Sequence, residues 1–147
     1  MERMDALDRF VRAQQTTYAG AIAELRRGRK TSHWMWFVFP QIAGLGRSET
    51  ARFYAIASAA EARAYLAHPL LGARLIQATI VATAAAGSAE AIFGGIDAVK
   101  LRSSMTLFEA VADDGAPFAA AIDRFFGGER DAETLRLLRV IGKVRME

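Results

Sequence analysis

Two stretches of this 147-residue chain carry side chains through which chemistry could be done. The first, Lys30-Thr31-Ser32-His33-Trp34 through Gly46, sets Lys30, Ser32, His33, Trp34, Trp36 and Gln41 in one aromatic run and ends in a Gly44-Leu45-Gly46 turn. Polar donors embedded in an apolar wall are the usual make-up of a small-molecule pocket. Glycines let backbone N–H groups approach a ligand, and a helix opening near Ser48 beside Arg47 would favour an anion. The competing reading is a core of aromatics, a satisfied His33, and glycines that only turn the chain. No clear strand of a βαβ unit precedes the Gly-x-Gly, so dinucleotide-binding and Walker loops do not apply.

The second stretch runs from Asp97 to Phe108. Helical spacing puts Leu101, Met105, Phe108 and Ala112 on one buried stripe and Lys100, Ser103, Ser104 and Leu107 on the neighbouring face, with Asp97 one turn before Lys100. A lysine followed by serines at i+3 and i+4 can hold a phosphate or carboxylate. A lysine stripped of water can also act as a base or an amine nucleophile. The plain alternative is a solvated Lys100 paired with Asp97. Lysine is scarce, 3 against 16 arginines, yet two of the three lie in these two stretches. The third, Lys143, sits in a charged tail.

Other chemistries find little support. With no cysteine, thiol nucleophiles, disulfides, zinc fingers and iron–sulfur clusters drop out. His33 and His68 have no second ligand type at i+3 or i+4, so no metal site is expected and no cofactor is called for. No Gly-x-Ser-x-Gly elbow accompanies the serines and histidines. Asp113-Asp114 lacks the spacing of a calcium loop.

The elements that must position these residues read as helices nearly throughout. Asp5 is expected to cap a helix carrying Phe10, Ala13 and Gln14. Thr16 or Thr17 restarts it, and Tyr18, Ala21, Ile22 and Leu25 mark an apolar stripe ending at Gly28. The block Trp34–Phe39 reads as a short buried helix or an extended segment stopped by Pro40, and 40–46 as a loop. Ser48 can cap the next element. Ser58-x-x-Glu61 is a capping box for a helix to about Ala67, broken by His68-Pro69, with His68 itself a cap. Pro69 then suits the start of a helix to about Ala86. Further helices are expected over Ala89–Phe93, from an Asp97 cap to about Ala112, from Pro117 to Gly127-Gly128, and after an Asp131 cap. About eight helices with short links, no internal repeat and no linker imply an all-α bundle forming one domain over 1–147.

Composition agrees: 52% hydrophobic and 24% charged residues are globular rather than disordered proportions. The net charge of +3 is small, and the pI near 9.7 reflects arginine content rather than a basic face. Nucleic-acid binding through Arg26–Lys30 is therefore disfavoured, a basic run at a helix end being usually solvated. Charges stud Met1–Phe10, so no signal peptide is read there. The uncharged run Leu75–Ala89, rich in alanine, is shorter than the ~20 apolar residues of a membrane span. A cytoplasmic protein without membrane contact is expected, monomer or dimer being open.

The stretch Lys30–Gly46, the stretch Lys100–Phe108, and between them Ala64–Gly72 and Ile92-Phe93-Gly94, together resemble the DUF1810 family of bacterial proteins of unknown function. The likeness spans nearly the whole chain and implies a compact all-α, Rv1873-like fold. The family's pattern falls here on Ser32, His33, Trp34, Trp36, Pro40, Gln41, Gly44, Gly46, His68, Pro69, Gly72, Lys100, Ser103 and Ser104. A more distant likeness is to YbiA-like domains, linked to ADP-ribose derivatives.

These readings converge on a small-molecule site between the His33–Gly46 segment and the Lys100–Ser104 helix. Trp34 or Trp36 would stack on a flat group such as a base or nicotinamide. Lys30, Ser32, Gln41, Gly44, Gly46, Ser103 and Ser104 would contact the ligand, with Lys100 and the serines on its phosphate or carboxylate. His33 and Lys100 are the candidate catalytic groups, histidine being the side chain that titrates near neutrality. Hydrolysis or transfer on an anionic, nucleotide-like ligand is the expected chemistry. The rival is a non-enzymatic interaction module whose aromatic segment forms a partner groove or dimer seam.

Overall fold

The computed structural model describes residues 6–146, with side chains through 141. Asp5, expected to cap the first helix, and the Lys143 side chain lie outside the described residues. Ten helices are present among the described residues, α1 (Asp8–Gln15), α2 (Tyr18–Arg27), α3 (Met35–Val38), α4 (Glu49–Phe53), α5 (Ala59–Ala67), α6 (Leu71–Ala84), α7 (Ala89–Phe93), α8 (Gly95–Val111), α9 (Ala116–Phe126) and α10 (Ala132–Met146). The count exceeds the expected eight because the aromatic block and the segment after Ser48 each form a helix of only four or five residues. Among the described residues there is no strand. A lone parallel bridge joins Ile42 to Ile56, with Ala43 N–H donating to Ile56 O and Ile56 N–H to Gln41 O, both at 2.8 Å.

Capping chemistry sets most boundaries. Ser48, Ser58 and Ser88 each accept a bond from the backbone N–H three residues on, meeting donors that the first helical turn leaves free. The box at Ser58 closes one residue early, Glu61 Oε1 accepting from Ala57 N–H at 2.8 Å. Asp131 Oδ2 accepts from Thr134 N–H at 3.0 Å. His68 caps α6 through its ring, Nδ1 accepting from both Leu70 N–H and Leu71 N–H at 3.2 Å. Gly28 ends α2 in the left-handed region at φ 76°, which glycine enters without a Cβ clash.

Helix α8 is the hub, packed against α5, α7, α9 and α10, while α6 packs on α2, α5 and α9. The core joins Phe10, Leu25, Trp34, Phe39, Tyr65, Leu75, Met105, Phe108 and Phe118 in one continuous cluster, each large side chain worth about 1.5–3 kcal/mol of burial. Because α8 is wrapped on several sides, its buried residues include Ala98, Ser103, Ser104, Thr106 and Leu107 as well as Leu101, Met105 and Phe108 of the expected stripe, whose fourth member, Ala112, lies past the helix end and is half-buried. That enclosure decides which side chains α8 can show to solvent.

Candidate functional site

The two stretches singled out in the sequence meet. Lys30 lies in the loop after α2, its backbone N–H held by Ile92 O at 2.7 Å. Its ammonium reaches Asp97 Oδ2 at 2.8 Å and donates to Ser32 O at 2.5 Å. Lys100, one turn along α8, reaches the other oxygen of the same carboxylate at 3.4 Å. Asp97 is therefore the joint between two lysines rather than the helix cap expected of it. Helix α8 already begins at Gly95, with no side-chain cap.

Each lysine also faces an indole. Lys30 Nζ is 5.1 Å from the Trp34 ring centroid and Lys100 Nζ 4.7 Å from that of Trp36, within the range of cation–π attraction. The two tryptophans differ in every other respect. Trp34 is 1% exposed and packs against Phe39 and Phe93, so no ring face is left for a ligand. Of the two tryptophans expected to stack on a ligand, Trp36 is the one left half-buried.

Beneath Trp34 is a buried carboxylate that sequence reasoning missed. Glu24 accepts four hydrogen bonds, from Thr31 N–H at 2.8 Å, Ser32 N–H at 3.1 Å, Ser32 Oγ at 2.5 Å and Trp34 Nε1 at 2.9 Å. Burial works against its charge, but the bonds from Ser32, Thr31 and Trp34 outweigh it and hold the carboxyl down at about 2. Ser32 is thereby committed to shaping the loop, its hydroxyl and N–H both spent on Glu24. The signal available in the sequence was a carboxylate at 24 falling among Ala21, Ile22 and Leu25 on an otherwise apolar stripe.

Trp36 borders an open recess of about 770 Å³, lined also by Phe37, Glu49, Thr50, Arg52, Phe53 and Tyr54. Phe53 is 59% exposed on its rim, and Tyr54 stacks edge-on to it at 4.8 Å between centroids. Next to the recess a narrow cleft takes in Trp36, Gln41, Gly46 and Tyr54. Arg9 holds this wall in place, its Nε donating to Phe53 O and its Nη2 to Ala55 O, both at 2.8 Å, while it pairs with Glu61 at 3.3 Å.

The remaining expected contacts sort by burial. His33 is exposed, and its side chain has no hydrogen-bond or ion-pair partner among the described residues. Gly44 and Gly46 serve packing: a Cβ would stand 3.1 Å from Leu137 Cδ2 at Gly44, where φ is +108°, and 2.5 Å from Ala51 Cβ at Gly46. The anion-favouring helix expected after Arg47 is α4, five residues long and capped by Ser48, so it offers little dipole. Ser103 and Ser104 correct the Lys–Ser face most sharply. Both are buried, Ser103 Oγ donating to Val99 O at 3.2 Å and Ser104 Oγ without a partner. Lys100 alone of the three reaches the surface, because the neighbours of α8 close over the serines. No group of three or more potential metal-binding side chains gathers among the described residues.

The family model for DUF1810, described as a protein of unknown function, matches residues 4–138. The chain is a member of the DUF1810 family. It is similar to the crystal structure of the conserved hypothetical protein Rv1873 from Mycobacterium tuberculosis, at 49% identity and a TM-score of 0.89 over 90% of this chain and 96% of that one. None of the curated proteins matches. The DUF1810 pattern residues thus fall into two physical classes. Trp34, Gly46, His68, Gly72, Ser103 and Ser104 build the fold, whereas Trp36 and Lys100 reach the surface at the recess and the Lys–Asp–Lys cluster, and His33 is exposed. No helix among the described residues is long and apolar enough to cross a membrane.

Proposed function

We propose that this DUF1810 domain binds an anionic, nucleotide-like small molecule, its flat group against Trp36 in the aromatic recess and its phosphate on Lys100. One observation carries the reading: Trp36 is shared, lining the recess while its ring lies 4.7 Å from the Lys100 ammonium. A planar group on such a wall gains stacking, and an attached anion falls within reach of the more exposed lysine of the cluster. Arg52, which also lines the recess, supplies a second cation. His33, exposed beside this cluster in sequence, is the candidate acid or base for hydrolysis or transfer.

ADP-ribose, which joins a flat base to a diphosphate, is the test ligand. At a hundred times its dissociation constant it should stabilise the protein by about 2.7 kcal/mol, read as a rise in Tm. Trp36→Ala and Lys100→Ala, both still folded, should each lose most of that rise. An equal rise in all three proteins, or none in wild type, overturns the reading.

The exposed Phe53 favours a second reading, a protein-docking groove along the same recess. A dimer formed through it should dissociate in Phe53→Ser, measured by sedimentation, with no response to ADP-ribose. Trp34 and Phe39 take no part in such a groove, since both are buried.

A further inference from the structure

The geometry points to Asp97 as a resident counter-ion that occupies Lys100 until a more strongly charged ligand displaces it, a discrimination resting on the proposed binding of a nucleotide-like anion. The two lysines are not equivalent. Lys30 is the fixed arm, with a side chain 8% exposed, a 2.8 Å contact to Asp97, a bond to Ser32 O and a buried indole beside it. Lys100 is the loose arm, 23% exposed, 3.4 Å from Asp97 and otherwise held only by the Trp36 ring. Asp97 can therefore lose Lys100 and stay neutralised by Lys30, so the exchange strands no buried charge.

A ligand must then displace one carboxylate from Lys100. A monocarboxylate carries the same charge that is already there and gains little by replacing it. A phosphate dianion or a diphosphate brings more charge and more acceptor oxygens, and the exchange runs in its favour. Asp97 thus sets a charge threshold at Lys100, a cost that every anion must overcome and that a weakly charged acid meets least well.

Calorimetric titration of wild type and Asp97→Asn with ADP-ribose and with adenosine 5′-carboxylate tests this. Asparagine keeps an oxygen for Lys30 and removes the competing charge. The variant should bind ADP-ribose roughly fivefold tighter, the scale of a partly exposed ion pair, and adenosine 5′-carboxylate tighter by a similar factor, since the same Asp97–Lys100 contact no longer has to be broken. Unchanged or weaker ADP-ribose binding in Asp97→Asn, with wild-type binding still dependent on Lys100, overturns the counter-ion role and leaves the binding reading standing. Binding by the variant alone supports both, and binding by neither protein overturns both. A readout independent of the variant's folding is the Asp97 carboxyl carbon resonance in ¹³C-labelled wild type. It should move on saturation with ADP-ribose as Lys100 departs, and a signal that stays put while ligand binds overturns the exchange.

Discussion

The indole N–H of Trp34 donates to Glu24 Oε1 at 2.9 Å, so the polar end of a buried tryptophan is met by the protein's own carboxylate. Around that bond the loop Thr31–Trp34 folds back on α2, which in turn sets Lys30 against Asp97. Glu24 touches no part of the recess, yet the placement of the lysine cluster depends on it.

Acid should reveal Glu24. Its carboxyl sits at about 2 in the folded chain against an ordinary 4.5. A depressed folded value gives stability that is fully present above the unfolded value and lost as pH falls from about 4.5 through about 2, roughly 3 kcal/mol in all. Urea unfolding across this range should show a steep acid limb in wild type. Glu24→Gln should be less stable at pH 7 and flatter in acid; a variant as steep as wild type would refute the assignment.

Arg9 should prove structural despite its charge. Its guanidinium meets the carbonyls of Phe53 and Ala55 and the carboxylate of Glu61, and also donates to Ala6 O. Truncation in Arg9→Ala leaves these acceptors short of a charged donor, a loss of about 2–3 kcal/mol. Denaturant midpoints measure it, and a loss under about 0.5 kcal/mol, the ordinary effect of a surface change, contradicts the clamp.

Two helical glycines should respond with opposite sign. A Cβ on Gly72 would lie 2.1 Å from Leu66 O, whereas one on Gly20 would meet nothing within 4 Å. Gly72→Ala must push backbone apart and should cost about 1–3 kcal/mol or more. Gly20→Ala, in the first turn of α2, should stabilise by up to ~1 kcal/mol. Thermal melts of the pair decide the matter.

The two tryptophans should separate by fluorescence. In Trp36→Phe the remaining emitter, Trp34, is 1% exposed, so emission should be blue-shifted and resist acrylamide. In Trp34→Phe the half-buried Trp36 should quench readily and respond to ligand. Equal quenching in the two variants would argue against the burial contrast.

Much of this architecture was legible because it rests on local chemistry. Helix α7 falls on Ala89–Phe93 as its flanking Gly87-Ser88 and Gly94 require, and Ser48, Ser58, His68 and Asp131 cap where their positions before apolar runs say they should. The Asp97–Lys100 pair at one helical turn was equally readable. Ser103 and Ser104 were not, since periodicity assigns a residue to a face but cannot say how many faces are covered. Asp97 misled for a related reason: an acidic residue near a helix start has the composition of a cap whether or not a distant lysine claims it.

Interactions spanning a few residues account for the helical class, the caps and turns, and the aromatic and Lys–Ser motifs that mark one family pattern, and all of these are written in the chain itself. Tertiary packing alone makes Lys30 and Lys100 share one carboxylate, buries Trp34 while leaving Trp36 on a recess, and turns the serines inward. Those outcomes depend on which helices enclose α8 and on a loop pinned by Glu24, contacts between residues far apart in the chain that no local spacing records.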